Sequence, residues 1–175
     1  MILKSFQSRD RVLLFRAFIV YVRPILEYCT YIWSPYRLSD IRKIESVQRL
    51  FTKRLIGFKH LPYPERLKCL NAESLEMRRT KYDLYMYFKI LHGLVHIDSE
   101  TLFQIRDIRT RNNGLTLFKS KFRCNIERYL FRNRCVNIWN LLPQNVVASN
   151  DLSIFKRHIN TLNLESIVLK ASITS

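Results

Sequence analysis

The chain is sparing with the residues that break helices: its 175 residues contain three Gly and five Pro. A many-turned β fold needs Gly, Pro or Asn at short, regular intervals, so breakers this rare leave long uninterrupted segments that favour helices. Eleven Phe, nine Tyr and two Trp within a 47% apolar composition supply bulky material for a core. The length suits one domain, or one domain with a small appendage. The sequence therefore predicts a mainly α fold.

Periodicity places the elements. Val12, Leu13, Phe15, Ile19, Val22 and Leu26 predict a helix over 9–28, kinked or divided at Pro24. A second helix follows Pro35, with Ser39 as the expected N-cap and Gly57 near its end. On its wheel Ile44, Val47, Phe51 and Leu55 share one side, and Arg42, Arg49 and Lys53 cluster almost opposite. Such a helix buries one edge and offers a cationic stripe with the other. A short helix is expected over 65–70, then a longer one from Ser74 to His92, apolar nearly all round and ended by Gly93.

The pattern changes after 105. Asn112-Asn113-Gly114 is a turn signal, and residues 116–124 alternate Phe118, Phe122 and Cys124 with Lys119, Lys121 and Arg123. This predicts a small β-hairpin or strand element near 109–124 with a cationic outer face. A helix over 129–142 is expected next, burying Phe131, Cys135, Ile138 and Leu142, and Pro143 stops it. A last helix near 151–162, capped by Ser149 or Asn150, leads into a weakly patterned tail.

Thirty Lys and Arg against fourteen Asp and Glu give a net charge of +16. A polyanion that neutralises such self-repulsion is either nucleic acid or an anionic membrane. No apolar run reaches the ~18 residues of a membrane span, because Arg16 and Arg23 interrupt the best stretch. Cys29, Cys69, Cys124 and Cys135 are scattered, and the first ten residues lack an apolar signal segment. They read as reduced thiols in an intracellular protein of nucleus or cytoplasm. Charge is densest over 106–134, where nine basic residues face Asp107 and Glu127, a local net of +7. The expected nucleic-acid contacts are Arg42, Arg49, Lys53 and Arg54 on the second helix, and Arg109, Arg111, Lys119, Lys121, Arg123, Arg132 and Arg134 further on.

Chemistry is not legible in the residues. Polymerase metals need converging carboxylates, and the chain has no Asp-Asp pair. Its acids stand singly beside bases, as in Asp40/Arg42 and Glu65/Arg66, which read as surface pairs. Isolated glycines make no nucleotide-binding loop. His92 and His96 lack a metal-site context, and the cysteines lack paired CxxC spacing. No catalytic residue, metal site, cofactor or small-molecule substrate is expected.

Four segments together resemble the region downstream of the catalytic domain in jockey-like LINE (non-LTR retrotransposon) reverse transcriptases. They are Val22-Arg23-Pro24-Ile25-Leu26-Glu27-Tyr28 with Trp33-Ser34-Pro35-Tyr36; Asp40-Ile41, Ile44-Glu45, Val47-Gln48-Arg49 and Thr52-Lys53; Leu61 through Gly93, with Glu65-Arg66-Leu67, Arg78-Arg79 and Lys89-Ile90-Leu91-His92-Gly93; and Thr110-Arg111 with Asn133-Arg134, Trp139-Asn140, Leu142-Pro143 and Phe155-Lys156. In this order they span roughly residues 13–159. The resemblance implies a non-catalytic C-terminal part of an RNA-directed DNA polymerase, whose metal-binding aspartates lie in an upstream domain. It implies a thumb-like helical segment over 1–60, a linker and core helix of the same domain over 61–105, a basic hairpin plus helices over 106–162, and a tail over 163–175. The implied partners are an RNA–DNA hybrid or the element's own RNA, gripped through backbone phosphates, and the upstream reverse transcriptase domain. Trp33, Trp139, Pro24, Tyr28 and Pro35 match the family's pattern and read as packing residues. Two alternatives stay open: a truncated relic without molecular activity, and an independent basic DNA-binding protein.

Overall fold

The computed structural model describes residues 2–105, 115–119 and 124–173. Their regular structure is helical, as the scarcity of breakers predicts, with one isolated antiparallel bridge between Ile105 and Leu117. The chain divides into two compact units, 1–79 and 80–175.

The first unit contains α1 (Ile2–Ser5), α2 (Arg11–Tyr21), α3 (Arg23–Glu27), α4 (Thr30–Trp33), α5 (Leu38–Lys53), α6 (Tyr63–Cys69) and the start of α7 (Leu75–Leu91). Asp10 begins α2 by accepting the Leu13 amide at 2.7 Å. Pro24 divides the expected segment by opening α3, where its missing N–H costs nothing. Leu14, Phe15 and Phe18 of α2 pack with Leu55 and Phe58, and Phe18 stacks on Phe51 at 4.6 Å. Gly57 carries φ +80° just after α5, a conformation that suits its lack of a Cβ. Ser39 does not cap α5, which starts one residue earlier, at Leu38.

The second unit packs the rest of α7 with α8 (Ser99–Leu102), α9 (Asn125–Tyr129), α10 (Phe131–Arg134), α11 (Val136–Asn140), α12 (Gln144–Val147), α13 (Leu152–Thr161) and α14 (Leu164–Ile173). Its core is aromatic. Tyr87 meets Phe103 at 4.6 Å and Phe131 at 5.1 Å, and Phe88 stacks on Phe155 at 4.5 Å. Trp139 is 1% exposed and packs on Phe155, as expected of a packing residue.

Three expectations for this unit change. The single helix over 129–142 is broken at Leu130 and Cys135. Side chains there take the backbone's partners: Asn133 Nδ2 donates to Glu127 O at 2.7 Å, and Tyr87 Oη donates to Phe131 O at 2.8 Å. Asp151, not Ser149 or Asn150, caps α13 by accepting the Ser153 amide, and that bond holds its carboxyl below the usual range. Ser149 is committed elsewhere, its hydroxyl donating to Val146 O at 2.6 Å. Residues 164–173 form α14 rather than a weakly patterned tail, with Leu164 and Ala171 buried.

One ion pair holds α7 to the segment 131–135. Arg134 Nε and Nη2 donate to the two Asp83 carboxylate oxygens at 2.7 and 2.6 Å, with side chains 13% and 4% exposed. Burial would lower the Arg134 pKa, but the Asp83 hydrogen bonds and charge more than offset it and raise it. The Cys135 thiol, buried beside the same carboxylate, is pushed well up, by burial first. Asp83→Asn leaves the Arg134 charge buried without its counter-charge and is expected to cost about 3–5 kcal/mol in urea unfolding. Adding Arg134→Met should restore part of that loss.

Candidate nucleic-acid interface

Both units are cationic. Sixteen Lys and Arg face seven Asp and Glu in 1–79, and fourteen face seven in 80–175. What matters is which of these cations the fold leaves free.

Arg42, Arg49 and Lys53 on α5, and Arg54 at its C-cap, are all exposed. Among the described residues none of them forms an ion pair. Asp40, expected beside Arg42, instead meets Lys43 at 3.4 Å. From Arg42 to Lys53 the row runs about 16 Å along the helix. Projected on a duplex axis, that matches roughly five phosphates of one strand at about 3.4 Å each. Cations spaced along one helix face in this way suit the backbone of a nucleic acid more than the edges of its bases.

The buried face of α5 is not the expected apolar one. Its centre is polar: Glu45, Gln48 and Thr52 are buried, Ile44 and Phe51 are half-buried, and Val47 is 37% exposed. The cationic row therefore lies roughly 100° around the helix from the buried centre, on its shoulder rather than opposite it. Burial of these three polar residues is possible because each finds a partner. The Glu45 carboxylate accepts the Leu75 and Glu76 amides at 3.1 and 3.2 Å, capping α7, and accepts the Tyr63 hydroxyl as well. Gln48 Nε2 donates to Tyr63 Oη at 3.0 Å and Glu73 O at 2.9 Å. Thr52 Oγ1 donates to Arg49 O at 3.2 Å and accepts from Arg66. Burial, then Glu45, push the Tyr63 hydroxyl far up. The Arg49 guanidinium stands 5.0 Å over the Tyr63 ring, which tethers the middle of the row to this polar cluster.

In the second unit, Arg109, Arg111, Lys121 and Arg123 lie outside the described residues, as does the Asn112-Asn113-Gly114 turn. Lys119 is half-buried, and its pKa is lowered by burial and then by Arg128. Arg132 is exposed. Arg134, expected in the interface, is instead a structural residue, because its guanidinium is spent on Asp83.

Lys119 follows a pinned extended segment. Leu117 N donates to Asn140 Oδ1 at 2.9 Å, Asn140 Nδ2 donates to Leu117 O at 2.8 Å, and Trp139 Nε1 donates to Leu115 O at 3.0 Å. On the other side Phe118 N donates to Gln104 O at 2.7 Å. The Asn140 side chain thus acts as a neighbouring strand would. The adjoining cavity, of about 50 Å³ and lined by Leu115, Thr116, Trp139, Asn140 and Leu142, is far too small for a nucleotide.

Among the described residues no three His, Cys, Asp or Glu side chains converge as metal ligands. His92 is a packing residue, its ring stacked on Phe88 at 4.0 Å. No described helix is long and apolar enough to cross a membrane. Three residues expected to pack are open: Pro24 is exposed, Tyr28 is 75% exposed and Trp33 is 42% exposed. With Val20, Tyr21, Ile25 and Ile32 they give the first unit an exposed apolar surface.

No protein-family model matches the chain, and no solved structure matches it. It is similar to an uncharacterized protein of Caenorhabditis elegans, 26% identical over 98 residues, which is 54% of this chain and 50% of the relative. The match thus spans half of the relative's length.

The role of Asn140 is testable. Asn140→Ala removes both bonds to Leu117, so exchange of the Leu117 amide with deuterium should accelerate roughly tenfold. Amides of α13 should keep their protection.

Proposed function

We propose that this chain is the non-catalytic, thumb-side part of a jockey-like LINE reverse transcriptase, and that it holds template–primer nucleic acid by its phosphates. The observation that carries this reading is the α5 row of Arg42, Arg49, Lys53 and Arg54, exposed and free of acidic partners among the described residues. In a chain with net charge +16 such a row is held ready for a polyanion. Its partner is an RNA–DNA hybrid or the element's own RNA, bound with little base specificity. The polymerase aspartates belong to the upstream reverse transcriptase domain, and the apolar surface around Tyr21, Ile25, Tyr28 and Ile32 is where that domain packs.

Fluorescence anisotropy with the full chain tests the reading, using a labelled RNA–DNA hybrid and a labelled single strand at low and near-physiological salt. Binding should saturate, favour the hybrid and weaken steeply with salt. Arg42→Ala with Lys53→Ala removes two exposed cations outside the buried cluster. It should weaken binding and flatten the log–log salt slope by about two, one for each lost phosphate contact. An unchanged affinity and slope would remove α5 from the interface. Equal, weak binding to both ligands would leave the relic reading in its place.

A further inference from the structure

Arginines in this fold show what their guanidinium edges require. Arg78 places Nε and Nη2 on the Glu27 carboxylate, and Arg134 places the same edge on Asp83. Arg66 breaks the pattern. It is 4% exposed, yet among the described residues no carboxylate meets it. Glu65, expected to pair with it, is exposed and does not. Glu45 is committed to the α7 amides and Tyr63.

The donor inventory locates what is unspent. A guanidinium has five N–H groups. Nη1 of Arg66 uses its pair on Arg49 O at 2.8 Å and Thr52 Oγ1 at 3.1 Å, which ties α6 to the end of α5. Nε is buried with no partner, and Nη2, also without a protein partner, is not sealed off. The free side is therefore the same Nε/Nη2 fork that Arg78 and Arg134 spend on oxyanions. Arg49 is a neighbouring cation: the two guanidinium carbons stand over the Tyr63 ring at 5.0 and 5.4 Å from its centroid. Two like charges on one ring repel, and burial followed by Arg49 lowers the Arg66 pKa, with Tyr63 acting in the opposite direction. A tetrahedral oxyanion relieves both costs. It takes the open Nη2, closes on Nε once the cover over that buried atom shifts, and neutralises the pair.

We infer that Arg66 and Arg49, held on Tyr63, form a recessed subsite for one phosphate group. The inference rests on the proposed function only for the source of that phosphate, a nucleic-acid backbone. Free phosphate shares the chemistry, and the experiment separates the two. Lys53 and Arg42 then extend the contact along α5, while Arg66 supplies a fixed point that the flexible exposed cations cannot.

The test uses the full chain labelled with nitrogen-15, following the arginine Nε–Hε resonances. It is titrated with inorganic phosphate, with chloride at matched ionic strength, and with an RNA–DNA hybrid. The subsite predicts that phosphate moves the Arg66 and Arg49 resonances saturably and chloride does not. Arg66→Lys, which keeps the charge and loses the fork, should raise the half-saturating phosphate at least fivefold, read on Arg49. A purely structural Arg66 would lower the melting temperature in that variant and leave the half-saturating phosphate unchanged, which would overturn the inference. So would a hybrid that binds while neither hybrid nor phosphate moves Arg66, and the nucleic-acid reading would then stand without it. If phosphate moves Arg66 but no hybrid binds, the subsite is upheld and the nucleic-acid reading falls.

Discussion

The first unit depends on a buried carboxylate that, among the described residues, no cation meets in an ion pair. Glu45 is held by two main-chain amides at the start of α7 and by the Tyr63 hydroxyl. An isolated carboxylate in an apolar interior would be costly enough to expel or protonate. Here the positive end of a helix and a phenol replace the water it gives up. The arrangement fixes α5, α6 and α7 together: if Glu45 moves, α7 loses its cap and Tyr63 loses its acceptor. Because Tyr63 also carries Arg49 and Arg66 on its ring, the cationic surface inherits its geometry from this buried acid.

Basic residues meet three fates in the structure. Some are free in solvent, as Arg42 and Lys53 are. Some are spent inside a unit, as Arg78 is on Glu27 and Arg134 on Asp83. Arg66 belongs to neither group, being buried yet with three of its five donors unspent. Net charge alone treats these residues alike. The local count of +7 over 106–134 includes Arg134, whose charge is cancelled within the unit. Under the proposed function, affinity for a polyanion would come from the first and third kinds, because only their charge is still available.

Much of the fold was legible in the residues. Few breakers meant helices, Pro24 marked a division, and Ser74 and Gly93 bracketed α7, where Ser74 Oγ accepts the Met77 amide at 3.1 Å and Gly93 adopts φ +65°. These signals are local, since each acts within a turn of its own position. The helix expected over 129–142 misled, because its hydrophobic spacing was sound while its backbone partners were claimed by Asn133 and Tyr87. The exposed α5 cations were also legible, since helical spacing alone gathers Arg42, Arg49 and Lys53 on one face.

By itself, then, the sequence determined the helical class, the approximate bounds of α6, α7 and α13, the excess of positive charge and the row of cations on α5. Only the tertiary structure decided which face of α5 is buried and which arginines remain available. The reason is that hydrophobic periodicity ranks side chains by their dislike of water, whereas a polar side chain is buried or exposed according to whether a partner distant in sequence satisfies it. The partners of Glu45 lie 18 and 30 residues away, and that of Asp83 lies 51 away. Spacing within one helix carries no information about them. That is why Glu45, Gln48 and Thr52 could be placed in the interior of the first unit, and Arg66 buried near them, only once the helices were packed.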